Sequence, residues 1–507
     1  MRAEYATLAA ASALLLAACS TPPKTTDAGV DAGQDGGQDG GQDGGQDGGQ
    51  DAGPPYVRFA PRLLFNDPTV HCEPPPPPEM RAPVGPRPPL GTVRWVYDPR
   101  RDPAAADSFS TTGIAGISFG GRGMLGLPSG GFVVPLNEQR YYLGVTPEGG
   151  FDFISLAAMS IYGASWLMPS TLITRPSSEV MHGGPQLHFV ETAGRDLVGP
   201  SAVSRPPVPL PGFDLGNRTP GPTVLANGTV VWTPTHNTLM AVCSDGRARW
   251  VLEFYTNGCT PNIYAAGDGN IVLEVGPSGI YRIDPNGNVL ASRDRSDVSM
   301  FYIDQALGYS DRCGLAFRHL EYDNGIREYP VLRGIQYLSG EDFSVSRELP
   351  GTSMPTTDCG GWKYNPASSA LRRYRPDGSV GFESAELTGG IVGGEGPIEL
   401  ADGSWLSVLS HVGTQPASLT IVADDGSVTF HRELDASVVG DTFSDLYLLT
   451  PNGVLYLASS FGVFGDGPQL VAIEVGMGRA TPWFGGGTGT GGTWARDNAA
   501  WHTPATP

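Results

Sequence analysis

Short alternations of apolar and polar positions, punctuated by glycine-bearing turns, fill the chain from about residue 91 to residue 480. One stretch shows the unit plainly. Thr229-Val230-Val231-Trp232 and Leu239-Met240-Ala241-Val242 read as half-buried strands. Asn227-Gly228 stands before the first and Asp245-Gly246 follows the second, and Trp250 ends the next strand. Asn-Gly and Asp-Gly supply the positive φ that a tight hairpin demands, so the unit reads as strand, turn, strand, loop, strand, turn, strand. No window sustains an apolar period of 3.6, which predicts few helices.

The unit recurs. Copies carry Asp268-Gly269 with Asn286-Gly287, Asp402-Gly403 with Asp425-Gly426, and Asn452-Gly453 with Gly476 to Gly478. The first carries Ser129-Gly130 with Glu148-Gly149, and a half-visible one carries Asp377-Gly378. Second-turn glycines fall near 149, 194, 246, 287, 340, 378, 426 and 478, a period of about 47 residues. Four strands at that period predict an all-β fold, a single β-propeller of about eight four-stranded blades over 91–484, with seven as the alternative count. Two β-sandwiches would also show frequent turns, but not a paired turn-and-aromatic unit at one period. Gly91-Thr92-Val93-Arg94-Trp95 looks like a lone outer strand. Trp95 stands four residues after Gly91, as Trp250 does after Gly246. It is expected to close the ring by pairing with the last blade near Leu470 to Ile473.

The N-terminus is different in kind. An apolar run from Leu8 to Ala18 is about the length of a signal-peptide core and too short to span a bilayer. It ends in Leu16-Ala17-Ala18-Cys19, which resembles the lipobox of bacterial lipoproteins. The resemblance implies cleavage after residue 18 and a lipid on Cys19. Ser20, where aspartate would retain a lipoprotein at the inner membrane, implies the outer membrane. An ordinary secretory signal is the alternative. Residues 19–54 then form a Gly/Asp/Gln-rich stalk in which Gln-Asp-Gly-Gly repeats, too poor in apolar residues to fold. A calcium-binding β-roll would need an apolar residue in every turn, and the Gln-Asp-Gly-Gly repeat from Gln34 to Gly49 has none. Residues 55–90, with Pro74 to Pro78, read as a proline-rich linker, and 485–507 as a glycine-rich tail.

The repeat ending Asp245-Gly246-Arg247-Ala248-Arg249-Trp250 resembles the PQQ-like repeat of quinoprotein dehydrogenases. It equally resembles the propeller lipoprotein of the outer-membrane barrel-assembly machinery. The first resemblance implies a quinone held above calcium, beside a disulfide between adjacent cysteines. This chain has no Cys-Cys, and no Glu, Asn and Asp set could be assigned to calcium. No cofactor is therefore expected. A net charge of −20 speaks against nucleic acid, which requires basic patches.

Other chemistry is sparse. Gly116-Ile117-Ser118-Phe119-Gly120 fits the nucleophile-elbow pattern, but its glycine-rich flanks lack the helix the elbow needs, so it reads as strand. Gly487 to Gly492 matches G-x-G-x-x-G without strand or helix around it. The eight histidines, His182 and His188 among them, form no compact ligand pattern and read as surface loop residues. Asp323-Asn324-Gly325 and Asp424-Asp425-Gly426 read as turns rather than calcium loops. Six cysteines in an oxidising compartment make disulfides plausible, and Cys243 with Cys259 would close the shortest loop. No catalytic, cofactor or metal residue is assigned. The sequence predicts an envelope lipoprotein, held to the membrane through its lipid. Its propeller binds a protein or glycan partner, and a quinoprotein-like or hydrolytic enzyme is the alternative.

Overall fold

The computed structural model describes residues 61–73 and 86–478, with internal gaps. It is a β-propeller of eight small antiparallel sheets. In chain order the blades cover residues 125–155, 165–204, 223–253, 262–293, 306–350, 354–384, 398–433 and 442–474. We number them 1 to 8. First strands of neighbouring blades lie against one another: Thr223–Val224 of blade 3 abuts both Ser165–Met168 of blade 2 and Asn262–Ala265 of blade 4. These strands therefore line the axis, and the fourth strands form the rim.

Buried apolar clusters bridge consecutive blades. Leu252 and Trp250 of blade 3 share a core with Ile271 and Leu273 of blade 4, and Leu419 of blade 7 shares one with Leu455 and Val471 of blade 8. Blade 8 in turn shares one with blade 1, through Tyr456, Ala472, Phe132 and Leu143. The core is thus a ring of blade-to-blade layers.

One contact recurs at the rim. An apolar group on the outer strand of a blade covers the positive-φ glycine in the last turn of the next. A methyl group on Gly149 would sit 2.5 Å from the Trp95 ring, and one on Gly287 would sit 3.0 Å from Trp250. Phe382 covers Gly426 in the same way, and Phe430 covers Gly91. Both tryptophans also donate from Nε1 to a turn carbonyl at 2.9 Å, Trp95 to Pro147 and Trp250 to Pro285. Only glycine permits the turn and leaves room for the ring above it.

The N-terminal segment closes the circle. Strand β1 (Arg62–Asn66) and strand β2 (Val93–Tyr97) precede blade 1. Strand β2 is the fourth strand of blade 8, with Val93 opposite Ile473 and Tyr97 opposite Leu470, the pairing expected from the sequence. Arg94 reaches Glu474 with a 2.8 Å Nε bond; the Glu474 side chain is 1% exposed. Gly91 donates its N–H to the Glu474 carbonyl at 2.7 Å, so the last turn of blade 8 is built from two distant stretches of chain.

Two expectations are revised. Within 55–90, read as linker, β1 adds a fifth strand to blade 3, pairing antiparallel with Ala248–Glu253. Cys243 bonds Cys72, Cα to Cα 5.0 Å, and not Cys259. The shortest-loop criterion weighed chain entropy alone, whereas β1 carries Cys72 back to the Asp245-Gly246 turn. A second disulfide joins Cys313 and Cys359, Cα to Cα 5.2 Å. Helix α1 (Pro103–Thr112) lies between β2 and blade 1. Asp102 caps it, accepting from the Ala104 N–H at 2.9 Å, and proline opens its first turn, a signal present in the sequence. Residues 1–60 and 479–507, with Cys19, Cys259 and the Gly487 to Gly492 match, lie outside the described residues. So do His182, Asp323 to Gly325 and most of the Ser118 motif.

Candidate functional site

The two ends of the ring differ because the turns within each sheet alternate ends. One end holds the connections between first and second and between third and fourth strands. Nearly all of these are tight. Eight use the same local device, an aspartate that accepts from the backbone N–H two residues on. These are Asp245, Asp268, Asp284, Asp342, Asp358, Asp377, Asp402 and Asp425, at 2.8–3.1 Å. The Ser379 and Ser427 hydroxyls, and then their amides, hold Asp377 and Asp425 below the usual carboxylate range. The Ser344 amide and hydroxyl do the same for Asp342. These hydrogen bonds favour the charged form of those three carboxylates. The strand ends joined by 205–222, 294–305, 385–397 and 410–417 lie at the other end.

The densest buried chemistry sits toward the end that carries the aspartate turns, where blades 5, 6 and 7 meet. The Arg373 side chain, on Ala370–Tyr374 of blade 6, is 2% exposed. Its guanidinium donates to both oxygens of Asp358 and to the carbonyls of Gly361 and Tyr374. It lies 4.9 Å from the Trp405 ring and 5.6 Å from the Trp362 ring, and the two indoles meet edge-on at 5.1 Å. Burial between aromatic faces suits a weakly hydrated cation with a bidentate carboxylate.

The Asp358 turn is itself anchored. Cys359, at φ 73°, is disulfide-bonded to Cys313 of blade 5, and the buried Tyr337 hydroxyl donates to the Gly360 carbonyl. Glu399, on the inner strand Ile398–Glu399 of blade 7, completes the group. Burial, then the charge of Asp358, pushes its carboxyl up to about 7, against the opposing pull of Arg373 and Arg312. A carboxyl that titrates near neutrality can take or release a proton at working pH. None of Asp358, Arg373 or Glu399 was singled out in the sequence. The available signal was an arginine pair interrupting the apolar alternation of Ala370-Leu371-Arg372-Arg373-Tyr374.

A second recess, of about 420 Å³, opens beside the closing strand between Val96, Asp98, Arg101 and Gln469. Its carboxylates are committed: Asp98 holds Arg100 at 2.8 Å, and Asp102 caps α1. His188 is half-buried in the strand Leu187–Glu191, not in a surface loop. Burial, then the charge of Arg205, holds its imidazole below the usual range. Among the described residues no group of His, Cys, Asp or Glu could hold a metal ion, and no helix is long and apolar enough to cross a membrane.

No family model and no curated protein matches the chain. Solved structures do. BamB from Moraxella catarrhalis is 12% identical, with a TM-score of 0.41 over 71% of this chain and 98% of that one. Quinohemoprotein alcohol dehydrogenase from Comamonas testosteroni is 8% identical, with a TM-score of 0.42 over 79% of this chain and 78% of that one. Virginiamycin B lyase from Staphylococcus aureus is 10% identical, with a TM-score of 0.35 over 70% and 95%. Similarity at this level transfers neither activity nor partner, and the propeller assignment stands on the sheet topology of the chain itself.

Proposed function

We propose that this chain is a lipid-anchored envelope protein whose propeller is a binding or scaffold module for a protein or glycan partner. The observation that carries the reading is the inequality of the two ends. Tight, internally hydrogen-bonded turns join strands at one end, while strand ends separated by longer stretches of chain lie at the other. Loops of that length in a compact domain are where recognition concentrates. The anchor reading is supported by Leu16-Ala17-Ala18-Cys19 and the polar stalk that follows.

Photo-crosslinking in intact cells tests the module. A crosslinking residue within 294–305 or 385–397 is expected to capture the partner, and one at Asn286 or Ser379 is not. Adducts obtained only from the Asp-Gly turns would reverse the assignment of ends. The Glu399 group favours a second reading, an acid–base enzyme. Turnover of any substrate that is abolished in Glu399→Gln, with the fold retained, would establish it. A quinoprotein is tested by adding PQQ and calcium, where a visible cofactor spectrum would displace the non-catalytic reading.

A further inference from the structure

The N-terminal segment touches the ring twice, and the order of those contacts along the chain has a mechanical consequence. Coming from the stalk, the chain first meets blade 3. There β1 pairs with Ala248–Glu253, Arg62 bridges Glu253 at 2.6 Å, and the Asp67 N–H donates to the Arg249 carbonyl at 2.8 Å. It is then bonded covalently to blade 3 through Cys72 and Cys243. Only after that does it reach blade 8, where β2 closes the ring without any covalent link to its partner strand.

Closure depends on β2 staying in place. It carries Arg94 onto buried Glu474 and Trp95 onto Gly149, so its loss would uncouple blade 8 from blade 1. A strand held only by backbone ladder bonds and side-chain contacts peels readily when pulled from one end. The end of β2 that would be pulled is Val93, the side facing the stalk.

We infer that the Cys72–Cys243 disulfide is a strain relief: tension arriving along the stalk ends on blade 3 and never reaches the ring-closing strand. Under load from the N-terminus, β1 gives way residue by residue from Arg62. The pull then passes through Cys72 into Cys243 and is borne by blade 3. The stretch between Cys72 and β2 carries no load, and β2 remains paired. Without the disulfide the same pull runs past Cys72 to Val93 and strips β2 from Gln469–Glu474. The inference rests on the reading of the N-terminus as the anchored end. A surface tether is what subjects this terminus to sustained load.

Single-molecule stretching tests the device with artificial handles, so the outcome does not depend on lipidation. One handle joins the stalk. The other joins a Tyr364→p-azidophenylalanine position in blade 6, where Tyr364 is 51% exposed and far along the chain from the seam. In the disulfide-bonded chain the first low-force step frees residues 61–72, about 4 nm at full extension. In Cys72→Ser/Cys243→Ser the first step frees residues 61–97, about 13 nm. Folded wild-type protein reduced within the instrument gives the same lengthening, which covers the case where the double variant folds poorly. A first step of about 4 nm in the variant and in the reduced chain would overturn the inference, because β2 would then resist unaided. A step of about 13 nm with the disulfide intact would overturn it equally. Membrane release of a Cys19→Ala protein tests the anchor reading separately.

Discussion

Substituting alanine for two glycines separates backbone strain from blade docking. Gly149 and Gly403 both sit at positive φ, 80° and 83°. A methyl group on Gly403 meets nothing within 4 Å, whereas one on Gly149 falls 2.5 Å from Trp95 Cδ2. Gly403→Ala therefore carries the left-handed penalty alone, about 1–2 kcal/mol. Gly149→Ala carries the same penalty and must also displace the indole. That displacement breaks the Trp95 Nε1 bond to Pro147, about 0.5–1.5 kcal/mol, and loosens the stacks of Trp95 on Tyr456 and Phe132, about 0.5–1.5 kcal/mol. The expected loss for Gly149→Ala is about 3–4 kcal/mol, roughly twice that of Gly403→Ala. Urea unfolding followed by circular dichroism measures both. Trp95→Ala supplies the third corner: with the indole gone, Gly149→Ala should fall back to the strain term, a coupling of about 2 kcal/mol. If Gly149→Ala and Gly403→Ala destabilise equally, or if Trp95→Ala leaves the Gly149→Ala loss unchanged, docking at this junction contributes nothing beyond the turn.

The remaining expectations are quickly checked. Asp358→Asn should destabilise by about 3–5 kcal/mol and Arg373→Met by less, because the first strands a guanidinium whose side chain is 2% exposed and the second leaves a carboxylate at 25% exposure that water can reach. Urea midpoints that rank the pair in the opposite order would count against a buried pair. The folded-state carboxyl of Glu399 lies near 7, above its unfolded value, so the folded protein holds that proton more tightly. Its stabilising contribution is full below about pH 4.5 and is lost as pH rises through 7, an effect on the order of 1–3 kcal/mol after allowance for partial exposure. Melting curves from pH 5 to 8 should show it in the wild type and lose it in Glu399→Gln. Cys72→Ser/Cys243→Ser should destabilise more than Cys313→Ser/Cys359→Ser, since the bridges span 171 and 46 residues, with chain-entropy estimates of about 5 and 4 kcal/mol.

What the sequence disclosed and what it hid divide along physical lines. Turn chemistry is local, so the glycines at 149, 246, 287, 378 and 426 mark real last turns, each at positive φ. The closing role of Gly91 to Val96 was legible because that stretch repeats a pattern found elsewhere in the chain. Strand β1 was not, since Arg62-Leu63-Leu64-Phe65-Asn66 is flanked by Pro61 and Pro68 and copies nothing in the repeat. Its partner is an edge that no pattern advertises. Disulfide choice failed for a related reason. Loop entropy grows only with the logarithm of length, so a short loop is a weak preference that one docked strand overrides. The Arg373 group stayed hidden because its members come from three blades, and only the ring brings Trp405 and Glu399 of blade 7 to an arginine of blade 6.

The docking groups at the rim are not equal. Val203 backbone meets Gly246 and Leu349 meets Gly378 at blades whose last turn is one unbroken hairpin. Rings dock elsewhere, Trp250 on Gly287 and Phe382 on Gly426 as well as the two on either side of blade 8, Phe430 on Gly91 and Trp95 on Gly149. Blade 8 is the one whose outer strand arrives from almost 400 residues away, and pairing it forfeits the conformational freedom of a loop of that length. A short hairpin brings its strands together at small entropic cost, but this seam must recover a larger one from contacts alone. Two aromatic docks, a tryptophan hydrogen bond and the Arg94–Glu474 pair all lie within a few residues of Gly91 or Trp95. At this seam those contacts hold the outer strand that a hairpin connection holds in blades 3 and 4.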